Sequence, residues 1–235
     1  MIISSKVDQC PYFDQQISYN IICSAIENSE TYDWLADNGF FRYDNSLHSQ
    51  KCVDCYQCVP VRVDVANFKR NRSQQRIWRK NQDLQIITAK GYTAEHVDLF
   101  QDYIIKRHQA DTLYAKKYAK KLALSSFNSN WSKTILHEFR KEEQIIALVI
   151  VDFLNNGLYT LISAYNQCFM NRSLGVFAIL FEIEEAKRLG KKYVYLGNWI
   201  KDYNKMNYKN KYQPLEYFYQ GNWHKSHTIK VINNE

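Results

Sequence analysis

Ten residues, Ile145 to Leu154, run apolar except for Asp152. A run this short, bounded by turn residues, reads as a buried strand. Asn155-Asn156-Gly157 supplies a hairpin turn, and Leu158 to Tyr165 returns as the partner strand. The run is roughly half of what a membrane-spanning helix needs, so a packed sheet is expected and a bilayer span is not.

The next segment supplies the cover for that hairpin. Arg172 to Gly190 reads as a helix with Ser173 as its cap and Gly190 as its stop; Phe177, Ala178, Phe181, Ala186 and Leu189 form its apolar face. Val194 to Leu196 forms a short strand, a Lys/Asn/Tyr-rich loop follows, and Leu215, Tyr217 and Tyr219 alternate as one more strand. Upstream, helical periodicity begins at Thr93 with Val97, Phe100, Ile104 and Ile105 on one face, and a basic helix is expected around Tyr114 to Leu124. Helices, two antiparallel strands, helix, strand, loop and strand together indicate an α+β, acyltransferase-like layer.

The 235 residues suit one large domain or two small ones. Hydrophobic residues at 46% can build a core, while seven glycines and three prolines are too few for a linker-rich or collagen-like chain. The first 85 residues read as mostly irregular and hold five of the six cysteines, which suggests a division into 1–85 and 86–235. Lys6, Asp8 and Gln9 interrupt the start where a secretory leader would be apolar, so a cytoplasmic setting with reduced or metal-bound thiols is expected. A formal charge of +7 favours an anionic partner, nucleic acid or acidic peptide.

Three motifs carry chemistry. Cys52-x-x-Cys55-x-x-Cys58 can bring three thiolates to one soft metal, zinc or an iron–sulfur cluster, with Cys10 or His48 as a fourth ligand; the same spacing also suits buried thiols packed as small hydrophobes. Lys69 to Lys80 holds six basic residues and no acid, among them Arg72 and Arg76, whose guanidinium forks suit phosphate or carboxylate. Trp78 lies within that run, placed either to stack on a base or to join the core. Arg172-Ser173-Leu174-Gly175 opens the clearest helix, where free backbone N–H groups favour an anion. There is no Walker loop, no His-x-x-x-His and no Gly-x-Ser-x-Gly.

Taken in order, Cys10-Pro11-Tyr12, Gly39-Phe40, Cys52 to Val63, Arg72-Ser73-Gln74-Gln75-Arg76, Asn81-x-Asp83-Leu84, Arg172-Ser173-Leu174-Gly175, Tyr195-Leu196-Gly197-Asn198-Trp199-Ile200, Lys205-Met206-x-Tyr208-Lys209 and Pro214-Leu215-Glu216 resemble the arginyl-tRNA–protein transferase superfamily. The short chain and the Tyr-Leu-Gly-x-Trp-Ile form resemble its bacterial branch, the aspartate/glutamate leucyltransferases. Asn166-Gln167, Gln109-Ala110-Asp111 and Asn198 depart from the usual pattern of that family.

The resemblance implies an N-terminal, cysteine-containing transferase domain and a C-terminal domain of N-acetyltransferase-like topology. It implies transfer of leucine from leucyl-tRNA to proteins beginning with Asp or Glu, marking them for degradation, with no cofactor needed for the chemistry. Arginine as donor and a non-catalytic, metal-dependent RNA-binding module remain the alternatives. Charge matching then assigns expected roles. Arg72, Ser73 and Arg76 would bind the acidic acceptor or the tRNA end, and Arg172, Ser173 and Gly175 the tRNA phosphate, beside Trp199. Lys205, Tyr208 and Lys209 would orient the ester or stabilise an oxyanion, and Asp152 would receive the amine proton. Cys10, Cys52, Cys55 and Cys58 would hold any metal.

Overall fold

The structure is a computed structural model that describes residues 1–108 and 129–225, with residues 117, 119, 121, 125 and 127 between them. Two sheets organise it. Strands β1 (Ile2–Gln9), β2 (Ile17–Ser24), β3 (Phe41–Tyr43) and β4 (Ser46–Gln50) form an antiparallel sheet in the order β1-β2-β4-β3. Helix α1 (Ser29–Asp37) lies between β2 and β3 in the chain and is capped by Asn28, whose side chain accepts from the Thr31 N–H at 2.9 Å. The N-terminal segment is therefore ordered, against the irregular reading. Period-2 patterning is missing from β1 because its residues are exposed on both faces.

The second sheet has eight strands in the order β12-β11-β5-β10-β9-β8-β7-β6. They are β5 (Val59–Asp64), β6 (Gln85–Ala89), β7 (Lys133–Lys141), β8 (Gln144–Phe153), β9 (Gly157–Tyr165), β10 (Tyr193–Trp199), β11 (Leu215–Tyr219) and β12 (Asn222–Lys225). The expected α+β class and the strand–strand–helix–strand order are both present. Strand β5 lies between β10 and β11, so the chain from Val59 onward, rather than from residue 86, builds this sheet. Helix α2 (Arg72–Lys80) opens with a reciprocal capping box between Asn71 and Gln74.

Helices cover both faces of the large sheet. Helix α4 (Leu174–Arg188) packs Phe177, Leu180 and Ile183 against Val149, Val151, Leu158 and Val194. Helix α3 (Ala94–His108) packs Phe100 and Ile104 against Leu136, Leu148 and Ile150. The long apolar run is apolar on both faces because both faces are covered. The basic helix expected over Tyr114–Leu124 lies largely outside the described residues.

The strands β9 and β10 are parallel neighbours, yet they pair only from Gly157–Tyr159 to Tyr193–Tyr195. Close approach at that end requires Gly157: a Cβ there would sit 2.7 Å from the Tyr193 carbonyl oxygen and 2.8 Å from the Tyr195 ring. Beyond Tyr195 the register against β5 shifts, with Gly197 at φ +71°, and β9 continues to Tyr165 unpaired with β10. The two strands part, and the sheet opens between them.

Candidate active site

A cavity of about 490 Å³ lies at the end of β9, walled by α2, α3, the start of α4 and the segment from Asn204 to Tyr212. A second, of about 500 Å³, occupies the opening between β9 and β10. Tyr103, Ser163 and Tyr208 line both, so the two make one cleft. Among the sequence-derived candidates, Ser73, Ser173, Gly175, Lys205 and Tyr208 line the first lobe, and Tyr208 and Lys209 line the second.

The rim is built by backbone geometry. Ser173 adopts a left-handed conformation (φ +54°) after a 3-10 turn over Gln167–Arg172, and its side chain makes no cap bond. The expected Ser173 cap is therefore absent, and among the described residues no side chain accepts from the first N–H groups of α4. Such groups favour an anion or a carbonyl oxygen. Gly175 faces the Tyr165 ring of β9, where a Cβ would lie 3.4 Å away, an ordinary contact. Gln74 ties α2 to the opposite rim by donating to the Lys211 carbonyl at 3.0 Å.

Ionisable groups inside the cleft are shifted, Lys209 and Tyr208 among them. Lys209 Nζ donates to the Asn198 carbonyl at 2.6 Å, and burial pushes the ammonium down to about 7, opposed by the nearby Cys58 thiol. Burial, with Tyr103 and Tyr165 adding, pushes the Tyr208 phenol up to about 12, so near neutrality it is an O–H donor. The sequence placed Lys209 as a substrate ligand; its burial brings the neutral amine within reach near neutral pH.

Several expected roles are corrected. Asp152 is fully buried on β8. Its carboxylate accepts from Arg42 Nη1 (2.8 Å to Oδ2, 3.0 Å to Oδ1), from the Tyr32 hydroxyl (2.9 Å) and from Thr134 Oγ1 (2.5 Å). With its acceptor sites occupied and no exposure to the cleft, it cannot take a substrate proton; it joins β3 and α1 to β8. Arg172 makes a bidentate pair with Asp83, 2.8 Å at each oxygen, rather than facing a phosphate. Trp199 belongs to the core, with Nε1 donating to the Asn207 carbonyl at 3.2 Å and its ring edge-on to Tyr217. Arg72 and Arg76 are exposed on α2 and flank the cleft without lining it. Trp78 packs on Phe177 beneath the Arg70 guanidinium.

Cys10, Cys52, Cys55 and Cys58 line a separate cavity of about 520 Å³ beside β4 and β5, all as free thiols. Burial, together with the other three cysteines, pushes the Cys58 thiol up to about 12. The donor set is soft and suits zinc or an iron–sulfur cluster, but among the described residues no three His, Cys, Asp or Glu side chains are set to hold a metal ion. His48 contacts Ser46 Oγ at 2.8 Å instead of joining the thiols.

Arg107, Tyr103, Tyr165 and Lys211 also line the first lobe and were missed. Arg107 is an exposed residue on the last turn of α3, and only the crossing of α3 over β9 turns it toward the cleft. No local spacing signals that.

The sequence matches two family descriptions in chain order: Arginine-tRNA-protein transferase, N terminus, over residues 8–76, and Arginine-tRNA-protein transferase, C terminus, over residues 95–219. The chain belongs to the arginine-tRNA-protein transferase family. Within that transferase family it is 38% identical to an aspartate/glutamate leucyltransferase of Nitrosococcus oceani, over 93% of both chains. It is 35% identical to one of Saccharophagus degradans, covering 91% of this chain and 92% of that one. It is 33% identical to one of Pseudomonas aeruginosa, with the same two shares.

Solved structures are more distant. A tandem GNAT protein from the clavulanic acid biosynthesis pathway shares 10% identity at a TM-score of 0.45, over 91% of this chain and 59% of that one. The C-terminal domain of a putative lysylphosphatidylglycerol synthetase from Agrobacterium fabrum shares 12% at 0.44, over 70% of this chain and 50% of that one. This transferase spans about half the length of those solved chains, and likenesses at that level carry no argument about its chemistry.

Proposed function

We propose that this transferase moves leucine from leucyl-tRNA to the α-amine of proteins beginning with Asp or Glu, marking them for degradation. The observation that carries the reading is the two-lobed cleft at the parting of β9 and β10. It joins an uncapped helix start, cationic side chains and a buried lysine in a chain whose relatives bear the leucyltransferase name. Leucyl-tRNA and acidic N-termini are thus the partners. None of the described helices is long and apolar enough to cross a membrane, and a cytoplasmic setting is part of the proposal.

The reaction is aminolysis of an ester. The acceptor nitrogen forms a bond to the leucyl carbonyl carbon, the bond to the terminal ribose oxygen breaks, and the ribose hydroxyl leaves with a proton. An α-amine with a pKa of about 7.7–8.0 is already neutral in roughly 10% of molecules near pH 7. Positioning and charge stabilisation therefore matter more than a covalent nucleophile. Tyr208 donates its O–H to the developing oxyanion, and Lys209, in its neutral form, takes the amine proton. The uncapped start of α4 at Ser173 and Gly175, with Ser73 across the rim, receives the tRNA terminus. Arg107, Lys205 and Lys211 meet the acidic acceptor side chain, and Arg72 and Arg76 contact tRNA phosphates outside the cleft.

No step needs a cofactor. Zinc or an iron–sulfur cluster, if taken up by Cys10, Cys52, Cys55 and Cys58, would draw those thiols together and brace the loop before β5. Metal analysis and an absorption spectrum after anaerobic purification test that part. The reaction itself is tested by incubating the protein with radiolabelled leucyl-tRNA and a peptide beginning with Asp. Label on the peptide supports the reading. tRNA binding without transfer would favour the RNA-binding module.

A further inference from the structure

The relatives' names say which amino acid they transfer, and the structure shows a cavity that can choose it. The lobe between β9 and β10 is walled by Phe100, Ile104, Leu161, Ile162, Leu196 and Met206. Among the described residues no Asp or Glu lines it, and the ionisable groups they supply are Lys209, Tyr103 and Tyr208. Both tyrosines are pushed up by burial, so none of these groups is negative near neutral pH. The lobe opens directly onto the one that holds Ser173 and Gly175, through the shared residues Tyr103, Ser163 and Tyr208.

We infer that this lobe receives the side chain of the transferred amino acid and that it selects a neutral, apolar donor by charge rather than by size. The inference rests on the reading of the chain as a leucyl-tRNA–protein transferase. At about 500 Å³ the lobe is not a close mould for one aliphatic side chain. Shape alone in an apolar pocket separates near-isosteres by only roughly 10- to 200-fold. A guanidinium is different: here it would lose its water, find no carboxylate among the described residues and lie beside the Lys209 amine. Discrimination against arginine is therefore expected to exceed discrimination against methionine.

Met206 is the residue on which to test this, because it sits half-exposed on the short helix α5 (Asn204–Asn207), where substitution disturbs little packing. The experiment measures kcat/KM of the full chain for leucyl-, methionyl- and arginyl-tRNA with one Asp-starting peptide, in the wild type, Met206→Glu and Met206→Gln. The inference expects Met206→Glu to raise the arginyl-to-leucyl ratio at least 10-fold, while the neutral Met206→Gln leaves that ratio near the wild-type value.

An unchanged ratio in Met206→Glu overturns the inference, as does an equal rise in both variants. Wild-type selection stricter against methionine than against arginine also overturns it. Each of those results leaves leucine transfer by the wild type intact. Absence of leucine transfer by the wild type instead removes the functional reading and the inference with it.

Discussion

Arg42 on β3 and Asp152 on β8 form an ion pair buried to 2% and 0% exposure, Nη1 2.8 Å from Oδ2, and it links the small sheet to the large one. Arg42 also donates to Ser132 Oγ at 2.7 Å and to the Ser125 carbonyl at 3.0 Å. Removing Asp152 leaves the Arg42 guanidinium buried without this carboxylate. Asp152→Ala is expected to cost roughly 3–5 kcal/mol in urea denaturation. Turnover per folded molecule should be unchanged. A turnover loss without a stability loss would return Asp152 to the chemistry.

Lys209 supplies a pH signature. Its folded value of about 7 lies below the ordinary 10.5, so burial disfavours the charged form. Below about pH 7 both folded and unfolded states hold the proton and the penalty is full. Between about 7 and 10.5 the unfolded chain binds more protons, so stability rises with pH across that window. Lys209→Met should flatten the rise and remove the limb of kcat that climbs near pH 7, and the two profiles measured together check both effects.

Arg76 is exposed and lies outside the cleft lining, and the proposed function gives it to the tRNA. Arg76→Ala should weaken tRNA binding and reduce the slope of log affinity against log salt by about 0.7–0.9. KM for an Asp-starting peptide should hold steady. A rise in that KM with an unaltered salt slope would move Arg76 to the acceptor side.

Arg172 is committed to Asp83, a carboxylate 49% exposed, so the pair is a surface clasp between the end of α2 and the turn before α4. Arg172→Ala is expected to lower stability by about 1 kcal/mol or less and to leave tRNA affinity unchanged. Filter binding at two salt concentrations, beside a denaturation curve, measures both quantities.

The β8–β9 hairpin was legible because one apolar run, one Asn-Asn-Gly turn and one covering helix all agree. Strand β1 was illegible because it is exposed on both faces and therefore carries no alternation. The insertion of β5 between β10 and β11 is a long-range pairing that the valine alternation at 61, 63 and 65 cannot announce. At the site, Ser73, Gly175, Lys205, Tyr208 and Lys209 were found through motifs. Asp152 and Arg172 misled because a charge in a motif does not reveal its partner. Arg42 lies 110 positions from Asp152, and Asp83 lies 89 from Arg172. Arg107 and Lys211 face the cleft only through the crossing of α3 and the segment after β10 over β9.

The central claim is tested most directly by the donor and acceptor pair. Radiolabelled leucyl-tRNA and arginyl-tRNA are each mixed with the protein and with peptides beginning in Asp, Glu, Arg or Ala. Leucine on the Asp and Glu peptides alone is the expected result. Arginine on those same peptides, or no transfer by folded protein in either redox state, would contradict it.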